Sequence, residues 1–418
     1  MYGSQEDIRH NLKMFFLDGI TGMPSFALIS ISAVIPYFLA QLGASTFQIA
    51  LATAMTMICV FIMQPVFGYI ASNSVELHKT FGKIILIQRS IFLVFVLSIP
   101  FFSENHALLI NVFLVFWCIF NLFVGSYFVF HTPLVIRLLP PDKRGTIRGV
   151  GFAAGSFIGV GMTLLIPVIL GRIEFPYNYM VIFALGTAFL LVNSSVFFFM
   201  RQSKNPEPAE ATGILRYIKR MPSSIAENPP FRAMILTCIF LVITTALLPY
   251  FTLYAIREFY ATDTNIATFA GLAILAGAIS YVIFGFLVDR RGPRFVLVII
   301  ACFIFVAGLL ALVTNSLNIL FISWFMVNIS NSGAMIAVSL LIGEICPSDK
   351  LPVYVGVYFT ITNALSAFIV LVLAPVLENI GFKPLFAIVL ICGFMSLMIN
   401  LFVLKKRMTK LDLNRNAG

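Results

Sequence analysis

Residues 285–294 read Gly-Phe-Leu-Val-Asp-Arg-Arg-Gly-Pro-Arg and stand between two long apolar runs. A stretch this polar, closing one apolar segment and opening the next, reads as a tight hinge. Its glycines permit close backbone approach and sharp turning, and Pro293 stops the preceding helix from running straight on. Arg290, Arg291 and Arg294 cannot cross a bilayer core, so the chain is expected to reverse here, on the cytoplasmic side.

Outward from that hinge the chain is overwhelmingly apolar. Of its 418 residues 60% are hydrophobic and only 11% charged, with a mean hydropathy of +1.01, which excludes a water-soluble globule. A bilayer core about 30 Å thick requires about 20 apolar residues per helix, and about twelve such runs are present. They fall near 14–41, 47–72, 83–102, 107–137, 146–171, 178–200, 232–256, 265–288, 294–314, 318–345, 351–377 and 383–404.

The net charge of +10 invites a nucleic-acid reading, and the placement of the charges argues against it. Of 27 Lys and Arg residues, only Arg172, Arg257 and Lys383 fall in alternate, outer loops, and only Arg89 lies well inside a span. This bias is a topology signal: it places both termini in the cytoplasm and requires an even number of crossings. Cys59, Cys118, Cys238, Cys302, Cys346 and Cys392 lie singly in or at the ends of apolar runs, without the spacing of a disulfide frame or a metal site. The apolar run after Lys13 is far longer than a signal-peptide core and lacks a small-residue cleavage site, so the first span is expected to be retained.

Gly285, Asp289, Arg290, Gly292 and Arg294 fit the pattern G-x-x-x-D-R-x-G-R-[RK]. The stretch resembles the loop signature of the major facilitator superfamily, found between the second and third helices of each six-helix half. The resemblance implies an all-α polytopic membrane protein with twelve transmembrane helices in two pseudo-twofold-related six-helix bundles. Such a protein works by alternating access around a midplane cavity lined by the first, fourth, seventh and tenth helices.

Internal repeats agree with that architecture. Phe67-Gly68 and Ile49-Ala50 recur 217 residues later as Phe284-Gly285 and Ile266-Ala267. Pro140-Pro141-Asp142-Lys143 with Gly149-Val150 recurs at an offset of 207 as Pro347-Ser348-Asp349-Lys350 with Gly356-Val357. The expected organisation is therefore a bundle over 1–200, a linker over 201–230, a second bundle over 231–404 and a basic tail over 405–418. Within the linker Ile214, Leu215, Ile218 and Met221 share a helical face opposite Arg216, Lys219 and Arg220, which suits a short helix on the inner membrane surface.

Chemistry must come from few residues. Asp18 is the one acid well inside a span, where an ionised carboxylate costs about 2.5–3.5 kcal/mol on insertion scales. A carboxyl kept against that penalty, and able to exchange a proton, is a candidate coupling site; an interfacial cap is the structural alternative. Arg89 must find an acid, a carbonyl or an anionic ligand, and a pair with Asp18 is geometrically possible. His131, the only histidine within a span, is a candidate proton relay or a hydrogen-bonded packing residue.

Asn121 and Asn328 share the 207 offset on the fourth and tenth spans and, by the resemblance, are expected at the cavity midplane. Tyr127, Tyr250, Tyr254, Trp324 and Asn331 are further cavity candidates or packing residues. Gly151, Gly155 and Gly159 strip one face of the fifth span, for close helix packing or as a glycine-rich antiporter signature whose Gly-Pro pair is missing. By the resemblance, Asp289 with Arg290 latches onto the start of the fifth span near Arg144 or Arg148. The first-half copy has Ser72 in place of that acid, which makes the latch one-sided.

No nucleotide-binding loop, catalytic pair or metal-ligand spacing appears, so no cofactor or metal is expected, and an ion gradient, protons before sodium, is the expected energy source. The expected function is secondary active transport of a small organic solute, neutral or amphipathic, by a monomer in a bacterial inner membrane, with protons and lipids as its other partners. Efflux is expected first. A sugar or nutrient uptake symporter is the alternative, and a membrane-embedded lipid-modifying enzyme or receptor is a third class.

Overall fold

A computed structural model describes residues 3–31, 34–202, 213–347, 350–380 and 382–409. Ser348 and Asp349 of the second repeat, residues 203–212 of the linker and the tail beyond 409 lie outside the described residues. Seventeen α-helices follow one another, and no strand occurs among the described residues.

The helices group into twelve spans, several of them interrupted. The first is α1 (Gln5–Leu28) with α2 (Val34–Gln41), followed by α3 (Thr46–Ser72) and α4 (Leu77–Phe102). The fourth is α5 (His106–Val124) with α6 (Ser126–Leu138), the fifth α7 (Arg144–Thr163) with α8 (Leu165–Arg172), and the sixth α9 (Tyr177–Phe198). The linker forms α10 (Ile214–Glu227), and the seventh span is α11 (Pro229–Ala246) with α12 (Leu248–Phe259). Then come α13 (Asp263–Arg291), α14 (Pro293–Val313), α15 (Leu317–Ile345), α16 (Leu351–Ile380) and α17 (Lys383–Met398), which continues as a π turn, Ile399–Leu404. Ten helical segments among the described residues are by themselves long and apolar enough to cross a bilayer.

Local chemistry explains the ends and breaks. Ser4 caps α1 by accepting from the Asp7 amide, while the Asp7 carboxylate accepts from Ser4 in return. Gly125 ends α5 and starts α6, and Pro249, lacking an amide proton, lies just beyond the break at Leu247. The hinge that opened the sequence reading is one residue: Gly292, at φ 81°, ends α13 and precedes Pro293, the first residue of α14. That φ favours glycine.

The chain divides into two compact units, Met1–Pro140 with Val150–Ala211, and Pro141–Gly149 with Thr212–Gly418. In the first, Phe38, Phe92, Phe95, Phe113, Tyr179 and Phe183 build an aromatic core between α2, α4, α5 and α9. The glycines of the fifth span pack there: a Cβ on Gly155 would strike the Gly19 carbonyl of α1, and one on Gly151 would press on Phe16. Of the two readings offered for that glycine row, close packing is what these contacts display.

In the second unit α14 packs against α15 and α17, and α13 against α15. The linker helix buries one side against its own unit and leaves two of its apolar residues open. Tyr217 and Met221 are buried, whereas Leu215 is 74% exposed and Ile218 41% exposed.

Candidate functional site

Asp18, Arg89, Tyr127, His131 and Asn193 of the first unit converge on one knot. Asp18 in α1 is 2% exposed and His131 in α6 is fully buried, with His131 Nε2 2.9 Å from Asp18 Oδ2. The Tyr127 hydroxyl donates to the same oxygen at 3.2 Å, and its ring stacks on the imidazole with centroids 4.9 Å apart. Phe15 meets the other side of the imidazole edge-on.

The second carboxylate oxygen is occupied by a residue that sequence reasoning missed. Asn193 of α9 donates through Nδ2 to Asp18 Oδ1 at 2.9 Å and to the Asp18 carbonyl at 2.9 Å. Its own oxygen accepts from Arg89 Nη2 at 2.6 Å. The anticipated pairing of Asp18 with Arg89 is thus bridged by an amide. Arg89 is 4% exposed and turned inward, which rules out the snorkelling pose of a peripheral span.

An available signal pointed to Asn193. Gly186 and Asn193 recur as Gly393 and Asn400 at the offset of 207 already noted.

The fourth and tenth spans show the repeat as geometry. Asn121 Nδ2 donates to the Trp117 carbonyl at 2.7 Å, and Asn328 Nδ2 to the Trp324 carbonyl at 2.9 Å. Asn121 is 1% exposed, so it lies within its own bundle rather than lining an open cavity. Two further cavity candidates are also relocated. Trp324 gives its indole N–H to the Phe269 carbonyl and packs on Phe251, and Tyr254, 5% exposed, packs on Phe259, Phe382 and Phe386. Their rings serve the core of the second unit. Asn328, Asn331 and Tyr250 remain half-buried, and Asn331 Oδ1 accepts from Thr245.

The hinge motif has its own partners, all within the second unit. Asp289 Oδ1 accepts from the Gly145 amide and Oδ2 from the Thr146 amide, both at 2.6 Å. These amides belong to the first turn of α7, where the helix dipole favours an anion. A Cβ on Gly145 would collide with the Gly285 carbonyl, and one on Gly149 with the Tyr281 carbonyl, so bare backbones make the approach possible. Arg148, 1% exposed, donates to Ser339 Oγ at 2.7 Å, and Arg144 is likewise buried. Arg290 stacks over Phe286 at 4.0 Å. Ser72 bonds its own helix at the Tyr69 carbonyl.

A bundle of twelve apolar spans with a buried acid, imidazole and guanidinium in one half is the build of a polytopic membrane protein, and the family it matches is one of transporters. The sequence profile of the Major Facilitator Superfamily matches residues 19–305 and 233–417, and the chain belongs to that superfamily. No curated protein sequence matches the chain.

Solved structures share its fold at low identity. A bacterial homologue of the iron transporter ferroportin, in an outward-facing state, superposes with a TM-score of 0.74 at 16% identity, over 93% of this chain and 98% of its own. The E. coli fucose:proton symporter gives 0.70 at 16% identity, over 95% and 98%. A proton:xylose symporter bound to 6-bromo-6-deoxy-D-glucose gives 0.68 at 15% identity, over 96% of both chains.

Proposed function

We propose that the protein is a proton-coupled secondary transporter that moves a small organic solute by alternating access, with Asp18 and His131 as its proton site. The observation that supports this reading most is the 2.9 Å approach of a buried imidazole to a buried carboxylate between otherwise apolar spans. Such a pair can gain or lose one proton with little movement, because the hydrogen bond persists while its charge changes. Tyr127, half-buried, is the member of the knot that reaches toward the surface of its unit.

Two directions suit this site. One is efflux against an inward proton gradient; the other is uptake by symport with protons, symport being the mode the fucose:proton and proton:xylose symporters are named for. A metal cation as cargo at this knot is disfavoured on charge grounds, since Arg89 sits next to the amide that would have to ligate it. Asp289 on the first turn of α7 is proposed as a conformational latch. The proposed setting is the cytoplasmic membrane, with both termini inside and a monomer surrounded by lipid.

The test is flux in proteoliposomes under an imposed pH gradient with a panel of solutes. Wild-type protein is expected to concentrate at least one solute when the gradient is applied, and Asp18→Asn to lose that drive while retaining solute exchange. Gradient-driven accumulation that is undiminished in Asp18→Asn would overturn the assignment.

A further inference from the structure

Arg89 carries a permanent charge inside the bundle, yet only one of its three nitrogens is bonded. Nη2 donates to Asn193 Oδ1, whereas Nε and Nη1 have no hydrogen-bond partner among the described residues. A guanidinium presents donors in a planar fork that matches the two oxygens of a carboxylate or related anion. An amide oxygen neutralises none of its charge. The acid facing it, Asp18, stands on the far side of Asn193 with its oxygens already bonded to His131, Tyr127 and Asn193.

We propose that Arg89 receives the anionic group of the transported solute through Nε and Nη1, so that the substrates are small organic anions carried together with the proton on Asp18. This rests on the transport reading above and names its substrate class. It also replaces the neutral solute anticipated from the sequence.

Charge balance links the two events. With Asp18 ionised and His131 neutral, the pair and Arg89 sum to zero, and an incoming anion would leave a net negative charge out of water. With Asp18 protonated, the same anion restores neutrality. Each ligand therefore favours the other, reciprocally, and proton and anion travel in the same direction.

The titratable groups facing the pair are Asp18 from α1 and Tyr127 and His131 from α6. From α9 comes the Asn193 amide. On the α1 side Gly22 packs directly against Asn193, whose Nδ2 is 3.4 Å from where a Cβ would be.

The experiment uses the purified full chain and follows thermal protection and equilibrium binding. Probes are lactate, succinate, benzoate and methanesulfonate, with chloride and sulfate as inorganic controls and glucose and glycerol as neutral ones. At least one organic anion is expected to bind, with affinity rising by up to about tenfold per pH unit as pH falls through the range where Asp18 takes up its proton. Arg89→Gln is expected to abolish this binding and Arg89→Lys to weaken it, while Asp18→Asn binds the anion without pH dependence.

Binding of neutral solutes or chloride alone, or wild-type anion affinity in Arg89→Gln, would overturn the proposal. Should Arg89→Gln fail to fold, Arg89→Lys and the wild-type comparison of anions with neutral solutes decide it. Arg89-dependent anion binding without gradient-driven flux would sustain the anion site and remove the proton-driven reading.

Discussion

Trp117 and Trp324, the only two tryptophans of the chain, make the same hydrogen bond in the two units. Trp117 Nε1 donates to the Ala52 carbonyl at 2.9 Å, and Trp324 Nε1 to the Phe269 carbonyl at 2.8 Å. The donors are 207 residues apart and the acceptors 217, the two offsets that the sequence repeats display. Each indole pins the fourth helix of its unit to the second.

Both acceptors are carbonyls inside helices, so removing a pin takes away a second donor and leaves the helix's own bond in place. Trp117→Phe and Trp324→Phe are each expected to cost about 0.5–1.5 kcal/mol for the lost hydrogen bond. Thermal unfolding in detergent should show similar losses for both variants. A loss in only one would mean that the matched geometry does not carry matched energy.

His131→Gln keeps a polar side chain beside Asp18 but cannot hold a proton. Exchange of labelled for unlabelled solute is expected to continue, and accumulation driven by a pH gradient to fall at least about tenfold, since each tenfold corresponds to about 1.4 kcal/mol. Equal loss of both activities would make His131 a structural residue.

Asp289 is bonded through both oxygens to the first turn of α7. Asp289→Asn removes a charge-assisted interaction worth about 2 kcal/mol, enough to shift an opening equilibrium roughly thirtyfold. Maleimide labelling of a cysteine placed at Thr146 should accelerate accordingly. An unchanged labelling rate refutes the latch.

Backbone contact at the same place makes a steric prediction. Gly149→Val would drive a side chain into the Tyr281 carbonyl, with an overpacking cost of about 1–3 kcal/mol. Gly161, around which a Cβ would meet nothing within 4 Å, should accept alanine without loss. Comparing the melting temperatures of the two variants checks whether proximity or glycine itself is what matters.

At the start of α1, outside the membrane, hydrogen bonds from Ser4 hold the Asp7 carboxyl below its usual range. Because the folded value is depressed, the stabilisation is present above the ordinary aspartate value of about 3.9 and disappears as pH falls through the folded one. Acidification below that ordinary value should therefore lower the melting temperature of wild type more than that of Asp7→Asn. Parallel pH profiles would count against the cap.

The spans were legible because bilayer thickness imposes a length on apolar runs, and the hinge because Gly292 and Pro293 leave the backbone little choice. Asp18 and His131 were legible as polar residues where polarity is expensive. Asn193 was not, since a neutral amide in an apolar run raises no comparable alarm, and its repeat with Asn400 marks a position without showing a partner. Trp324 and Tyr254 stayed open between cavity and packing for the opposite reason: an aromatic ring near the middle of a span has the same sequence signature whether it meets a solute or another ring. The interruption at Gly125 escaped notice because a single glycine inside a long span is ordinarily tolerated.

Asn400, the repeat counterpart of Asn193, is fully buried in the π turn of the last span, and neither amide atom has a partner among the described residues. The second unit thus inherited one strand of the knot without the acid and the arginine that tie it. On the proposed reading, a duplicated scaffold that keeps this acid and arginine in a single copy confines the proton's effect to one half. The counterpart amide is then released from that duty and answers only to the packing of its own bundle.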